Sequence, residues 1–292
     1  MSNEYDQYHS DEFLKKADEI TKSFIDNLVE EVKQGRIEKY TEYLSFISRF
    51  HNYSFNNQML IYSQRPDASH VAGRWLWKQM GCEVKPWEIY RPILILAPVK
   101  IKDKRLVNGS LEPYDRLLGF KSVKLYDVSQ LDRPEKVFYD HLVMIKNDPQ
   151  EAIKLIKQAA DSDGLLMLNE KELIGRRNVQ SVGERISTDL DEEITPRDKL
   201  MTLIIRWSRY KIDLNNKEKF KEETFRETVK GMQVESVAFV VGNHLGVYNP
   251  LDEISYLSNK NQTEYLIRNL DRVQQTSKEI IDKIELIYRS TR

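Results

Sequence analysis

Cysteine is almost absent from this chain, which contains only Cys82 among its 292 residues. A single cysteine excludes an internal disulfide framework and any metal site built from a cysteine cluster. Long apolar runs are absent as well, because no stretch approaches the roughly 20 residues that a transmembrane helix requires. The first ten residues are polar and acidic, so no secretory signal is expected. Together these absences predict a cytoplasmic protein with no membrane partner.

Motifs for the common phosphate-binding and acyl-transfer chemistries are missing too. The chain has no G-x-x-x-x-G-K-[ST], no G-x-G-x-x-G and no G-x-S-x-G. Its five histidines include no pair at the i, i+4 spacing that places two zinc ligands on one helix face. His51 and His70 are therefore expected to be structural or hydrogen-bonding residues, and Cys82 a buried, inert thiol. The residues alone predict no catalytic centre, no metal and no cofactor.

Composition and charge set wide limits on function. An apolar fraction of 40% and a charged fraction of 31% are typical of a soluble globular protein, and 292 residues suffice for two domains. The net charge is −1, but residues 1–34 carry nine Asp/Glu against four Lys/Arg, whereas residues 51–125 carry an excess of about six positive charges. A local basic region can attract phosphates on a nearly neutral protein. The totals permit nucleic-acid binding without requiring it.

Residues 53–99 combine aromatic and basic side chains. Three of the four tryptophans, Trp75, Trp77 and Trp87, are interleaved here with lysines and arginines. Bases stack on aromatic rings while Lys and Arg contact phosphates, and grooves for single-stranded nucleic acid use both. Tryptophan and tyrosine at this density also form the amphipathic edge of a core. Composition leaves both interpretations open.

Hydrophobic periodicity predicts an α+β protein with two domains, residues 1–140 and 141–292. In the first domain, a helix capped by Ser10, a second helix with Tyr40 and Leu44 on one face, a helix over 54–64 and a helix over 71–80 come first. A proline-bracketed strand at 92–99 and a returning strand at 120–128 follow them. Asn108-Gly109 marks a turn between them. The second domain is predicted to be mostly helical with a short sheet. Its predicted elements are helices at 149–160, 195–212, 222–245 and 262–288, and strands at 165–168 and within 179–191.

Several blocks of the first domain resemble the N-terminal domain of ArdC-type antirestriction proteins. They are Y-S-F-N-N-Q-M-L-I (53–61), Q-R-P-D-A (64–68), V-A-G (71–73), W-K (77–78), I-L-A-P-V (95–99) and Y-D-V-S-Q (126–130), in the family's order. The resemblance implies a domain that binds single-stranded DNA, carried by a plasmid or another mobile genetic element. Two departures stand out. Residues 85–90, K-P-W-E-I-Y, replace the family's glycine-rich basic turn, and Leu131 stands where the family has threonine.

The resemblance and the aromatic–basic pattern together define a predicted DNA-binding set. Aromatic rings would stack on bases, basic side chains would contact phosphates, and asparagine amides would reach base edges or backbone. Buried amides that cap a helix are an equally compatible interpretation of the asparagines. The set comprises Tyr53, Phe55, Asn56, Asn57, Arg65, Arg74, Trp75, Trp77, Lys78, Lys85, Trp87 and Arg91.

The second domain is similar to the metallopeptidase domain of the same family, but it lacks that domain's metal ligands and general base. The family's T-L-x-H-E-x-x-H helix reads T-L-I-I-R-W-S-R at 202–209, so Ile205 and Arg209 occupy the histidine positions and Arg206 that of the general base. Gln233 stands where the third ligand would be. Isoleucine has no lone pair and arginine stays protonated, so these degenerate metal-site positions cannot hold zinc or activate water. The resemblance implies a pseudo-metallopeptidase and not an enzyme.

Two functions from different classes follow. The first is a single-stranded DNA-binding accessory or antirestriction-like protein with an inactive peptidase-like domain. The alternative is a protein-interaction module that binds a host or element-encoded protein through the degenerate cleft. Arg206 and Arg209 would then contact phosphates or carboxylates there, or instead pair with acids such as Glu222 or Glu235. An active metallopeptidase is disfavoured by the replaced residues.

Overall fold

The computed structural model describes residues 3–107, 110–137, 148–168, 184–187, 195–215, 223–247 and 260–291. Within this part of the chain no helix is long and apolar enough to cross a membrane. Helices and strands follow in the order α1 (Asn3–Lys33), α2 (Glu38–Arg49), α3 (Phe55–Gln64), β1 (Val71–Ala72), α4 (Arg74–Gln79), β2 (Ile93–Val107), β3 (Ser110–Asp127), α5 (Pro149–Ser162), β4 (Leu165–Leu168), β5 (Glu184–Ser187), α6 (Pro196–Asn215), α7 (Glu223–His244), α8 (Lys260–Arg268) and α9 (Leu270–Ser290).

Contacts divide the chain into two compact units. The first unit comprises Met1–Asp26 and Tyr53–Tyr139, and the second comprises Asn27–Asn52 and Asp140–Arg292. The later change of unit, after Tyr139, falls next to the boundary chosen from the sequence. Residues 27–52 group with the second unit, although the sequence places them in the first domain. Their apolar side chains explain this, because Tyr40 and its neighbours in α2 are buried against α7.

The first unit combines helices with a three-stranded antiparallel sheet in the order β1-β3-β2, which confirms the α+β class. The helix predicted over 54–64 is α3, and Ser54 is its N-cap, because its hydroxyl accepts a hydrogen bond from the Asn57 backbone N–H at 3.4 Å. Helix α1 begins at Asn3, so the prediction that Ser10 is its N-cap is wrong. Gly81 follows α4 with φ of +75°, the left-handed conformation expected of a glycine at a helix C-terminus.

Two elements of the first unit differ from their sequence predictions. The predicted helix over 71–80 is a short strand followed by a six-residue helix, because Val71 and Ala72 pair with Asp127 and Tyr126 of β3. The hairpin of β2 and β3 is longer than predicted and runs from the Ile93–Leu125 pair to the Val107–Ser110 pair. The predicted turn residues 108 and 109 lie outside the described residues.

Apolar side chains of the first unit form two clusters. One joins α1, α3 and the sheet through Ala17, Leu60 and Leu96. The other, called here the Trp77 cluster, includes side chains of α4 and β3. Its buried members are Ala72, Trp77, Cys82, Val84, Tyr126, Leu131 and Val137, with Ile89 and Val128 packed against them. Cys82 is a buried free thiol, as predicted.

The second unit is mostly helical with a short parallel sheet of β4 and β5, as predicted for this part of the chain. Helix α7 packs against α2, α6, α8 and α9, and α5 packs against α6 and α9. Thr195 caps α6, because its hydroxyl accepts a hydrogen bond from the Asp198 N–H at 3.2 Å. The predicted single helix over 262–288 is two helices, α8 and α9, which meet at Asn269.

Candidate functional site

Helix α4 presents opposite faces to the core and to solvent. Trp77 is only 2% exposed, and its indole Nε1–H donates a hydrogen bond to the Tyr126 carbonyl at 2.9 Å. Trp75 is 72% exposed, and Arg74 and Lys78 are exposed as well. Residues three and four apart share a helix face, so Lys78 lies beside both Arg74 and Trp75. The prediction that Trp77 stacks on a base is therefore wrong, because the core takes its ring and its N–H.

The exposed face of α4 borders a surface cavity of about 330 Å³. Its lining residues are Arg74, Trp75, Lys78, Cys82 and Glu83. An indole face with two cations can accept a flat ring whose substituent is a phosphate. The Glu83 carboxylate adds one negative charge to this lining.

Hydrogen bonds to β3 and to the segment after it restrain the turn at residues 85–91. Gln130 accepts a hydrogen bond from the Lys85 N–H at its carbonyl, and its side-chain Nε2–H donates to the Glu88 carboxylate and the Arg91 carbonyl, each at 2.9 Å. Tyr126 donates its hydroxyl proton to the Ile89 carbonyl at 3.0 Å. These bonds restrict the turn's backbone, although it is irregular in secondary structure.

Two aromatic rings project from this restrained turn into solvent. Trp87 is 66% exposed and Tyr90 is 87% exposed. Ile89, between them, packs against the Trp77 cluster and so anchors the turn to the core that also holds α4. Tyr90 was missed in the predicted set. Its position in the segment that departs from the family pattern was the signal that could have identified it.

Asn57 has a structural role in place of the predicted DNA contact. Its side-chain amide donates to the Leu96 carbonyl at 2.8 Å and accepts from the Leu96 N–H at 2.9 Å, and the residue is 9% exposed. A base edge cannot compete for these atoms without breaking the bonds that join α3 to the edge of β2. Tyr53 is half-buried and donates its hydroxyl proton to the Val71 carbonyl at 3.0 Å, and burial raises the pKa of this phenol. Both side chains support the fold.

The remaining predicted residues differ in how exposed their side chains are and in whether other residues already bind them. Arg65 is half-buried, donates to the Ser129 hydroxyl at 2.9 Å and lies 3.9 Å from the Glu88 carboxylate. Lys85 donates its Nζ–H to the Ser129 carbonyl at 3.1 Å. Arg91 is exposed, and in α3 Asn56 is exposed while Phe55 is half-buried. The structure thus retains Arg74, Trp75, Lys78, Trp87 and Arg91 as solvent-facing candidates, with Asn56 separate from them on α3.

The degenerate metal-site positions lie in α6 and α7 of the second unit. Ile205 and Arg206 are half-buried, Arg209 is exposed and Gln233 is buried. Gln233 lines a cavity of about 400 Å³, whose described lining includes none of the three α6 positions. That lining comprises Ile212, Leu214, Asn215, Gln233, Val237, Arg272, Val273, Gln275 and Thr276. Gln233 therefore lines this cavity without Ile205, Arg206 or Arg209.

Comparison with known proteins finds matches among solved structures. No family model and no curated protein matches the chain at a significant level. The metal-free structure of the antirestriction protein ArdC from plasmid R388 aligns with 82% of this chain and 86% of its own, at 10% identity and a TM-score of 0.43. The Mn(II)-bound structure of that protein aligns with 92% of this chain and 97% of its own, at 13% identity and a TM-score of 0.47.

Proposed function

We propose that the first unit binds single-stranded DNA through its exposed aromatic and basic side chains. This aromatic–basic surface comprises Arg74, Trp75, Lys78, Trp87, Tyr90 and Arg91. The observation that carries the proposal is the exposure of three large aromatic rings on backbone that buried partners restrain. Each base stacked on such a ring contributes roughly 1–3 kcal/mol, and rings fixed in advance lose little conformational freedom on binding.

Single strands suit this surface better than duplexes. The faces of bases in a duplex are already stacked on one another, whereas an unpaired base offers its face to Trp75, Trp87 or Tyr90. Stacking of this kind is tolerant of sequence, because every base has such a face. We therefore infer a binding mode that depends on strandedness and on salt more than on base sequence.

The biological role proposed for this binding is antirestriction-like protection of incoming DNA on behalf of a mobile genetic element. Its support is the ordered set of sequence blocks that resemble ArdC-type proteins. Such a protein would act in the cytoplasm, where incoming single-stranded DNA meets restriction enzymes.

We also propose that the second unit is inactive as a peptidase at the family's position. Ile205 supplies no lone pair, Arg206 and Arg209 supply positive charge, and Gln233 is a neutral amide. Incubation of the purified protein with casein and Zn²⁺ should leave the substrate uncut. Zinc-dependent cleavage that a chelator stops would contradict this part of the proposal.

The salt dependence of binding tests the phosphate contacts assigned to α4. In single-stranded DNA each phosphate contact contributes about 0.7 to the slope of log affinity against log salt, so Arg74→Gln/Lys78→Gln should flatten that slope by about 1.4. Fluorescence anisotropy with labelled oligo-dT over a range of NaCl measures it. The control, Lys15→Gln/Lys22→Gln, removes two exposed charges from α1 of the same unit and should leave the slope unchanged. Equal slopes for both double variants would reject these contacts.

A further inference from the structure

Two histidines and a glutamate meet inside the second unit, away from the degenerate peptidase positions. His51 follows α2, His244 is the last residue of α7, and Glu285 lies in α9. The His51 and His244 rings contact each other edge to face, with centroids 4.5 Å apart. The side chains of His51 and His244 are 5% and 10% exposed, and that of Glu285 is 13% exposed. Three side chains of the types that bind metal ions thus share a site that is largely buried from solvent.

Three buried nitrogen atoms of the two histidines have no hydrogen-bond partner among the described residues. They are Nδ1 and Nε2 of His51 and Nε2 of His244, all fully buried. A buried polar atom without a partner destabilises a fold, so its presence calls for a physical reason. Burial, followed by the proximity of His244, lowers the pKa of His51.

The surroundings orient the other two side chains toward the same point. The Ser48 carbonyl lies 3.0 Å from His244 Nδ1 and can only accept, so Nδ1 carries the proton and Nε2 carries the lone pair. Arg289 donates to Oε2 of Glu285 at 2.8 Å, which leaves Oε1 facing the histidines. A backbone carbonyl behind a histidine and an arginine behind a carboxylate are the kinds of outer partner that fix metal ligands.

The two distances from Glu285 to the histidine nitrogens match those between ligands of one metal ion. Oε1 of Glu285 lies 3.5 Å from Nε2 of His51 and 3.5 Å from Nε2 of His244, which is too long for a good hydrogen bond. The three ligand atoms lie within 4.8 Å of one another. Bonds of about 2.0–2.2 Å to a tetrahedral zinc ion separate its ligands by roughly 3.3–3.5 Å.

We propose that His51, His244 and Glu285 bind a first-row divalent transition metal ion, with Zn²⁺ as the probe ion. Two imidazole nitrogens and one carboxylate oxygen suit zinc and its neighbours, whereas Mg²⁺ and Ca²⁺ prefer oxygen ligands alone. The ion would join the segment after α2, the end of α7 and the C-terminal part of α9. It would also give a partner to Nε2 of His51 and to Nε2 of His244, two of the buried nitrogens that lack one. None of its three ligands is one of the degenerate peptidase positions.

Isothermal titration of chelator-treated protein with ZnCl₂ tests this site. We expect one Zn²⁺ per chain and a rise in the thermal unfolding midpoint when zinc is present. Glu285→Gln should weaken zinc binding by about 100-fold or more, beyond the 10–100-fold typical of losing an outer partner. MgCl₂ at the same concentration should produce neither effect. Co²⁺ in place of zinc should show the visible absorption of a low-coordinate cobalt site.

Matched variants separate this site from folding effects and from chance zinc binding. His51→Leu replaces an unpaired buried imidazole by an apolar side chain, so the protein should fold without zinc and should no longer be stabilised by it. Glu279→Gln changes another α9 glutamate, which pairs with Lys211 at 2.9 Å, and His70→Gln changes a histidine of the first unit. Both should bind zinc as the unaltered protein does. Zinc binding that survives Glu285→Gln and His51→Leu, or that is absent from the unaltered chain, would overturn the proposal.

Discussion

Trp75 and Trp77 are two residues apart and serve opposite purposes. Trp77 fills the Trp77 cluster and donates its N–H to the Tyr126 carbonyl, whereas Trp75 leaves most of its ring in solvent. The sequence shows both as aromatic residues in a basic segment. Their roles differ only because one face of a short helix packs against the core and the other does not. Six residues are too few for periodicity to show which face that is.

Substitution of the two tryptophans should separate binding from stability. Trp75→Ala should weaken oligo-dT binding about tenfold or more, because one stacking surface worth roughly 1–3 kcal/mol is lost. Its free energy of unfolding in urea should change by less than about 0.5 kcal/mol, as is usual for exposed positions. Trp77→Ala should instead lower the free energy of unfolding by about 3–5 kcal/mol.

Trp75→Phe is the matched control for this pair. It keeps an aromatic face and should retain most of the affinity that Trp75→Ala loses. An unchanged affinity for Trp75→Ala would remove Trp75 from the proposed surface, whatever the result for Trp77.

Helix α3 protects the outer edge of the sheet with two amide side chains. Asn57 bonds to both backbone groups of Leu96, and Gln64 bonds to the N–H and carbonyl of Leu94 at 2.9 Å each. Strand β3 occupies the opposite edge of β2. The two amides therefore imitate a neighbouring strand and close an edge that could otherwise pair with another chain.

Loss of the buried amide should cost more stability than loss of the exposed one. Asn57→Ala leaves two buried backbone groups without partners and should lower the free energy of unfolding by about 2–4 kcal/mol. Gln64→Ala removes equivalent bonds where water can replace them, so we expect a loss below about 1 kcal/mol. Urea denaturation of the two variants measures the difference. Equal losses would show that the edge is not protected in the way described.

The helices predicted over 54–64 and 195–212 were located well from local signals, whereas the start of α1 and the elements set by distant partners were not. Ser54 and Thr195 mark their helices by capping, which is a local property of the chain. The outer part of the β2–β3 hairpin could not be predicted from the sequence, because both of its faces carry charged residues. Its cross-strand pairs, Lys102–Asp115 at 2.8 Å and Asp103–Arg116 at 3.1 Å, are apparent only once the strands are aligned.

At the scale of the whole molecule, the residues that carry the family resemblance are mainly residues that build the fold. Asn57 closes the sheet edge, and Asp127 accepts hydrogen bonds from the N–H groups of Ser69, His70 and Ser129. Gln130 holds the turn that presents Trp87. Such residues predict the architecture well and the bound partner only indirectly.

The proposed metal site lay beyond sequence prediction for a related reason. Its ligands stand at positions 51, 244 and 285, with no short spacing between any two of them. Histidines at helix spacing reveal a metal site in a sequence, whereas ligands from three separate segments converge only through packing. The packing of α2 and α9 against α7 supplies that convergence.

The most direct test of the central proposal compares single-stranded with duplex DNA. Fluorescence anisotropy at physiological salt, with labelled oligo-dT and with the same strand paired to oligo-dA, measures both affinities for the full chain. We expect oligo-dT to bind about tenfold or more tightly than the duplex, since one stacked base is worth roughly 1–3 kcal/mol. Equal affinities, or tighter binding of the duplex, would contradict a surface built for unpaired bases.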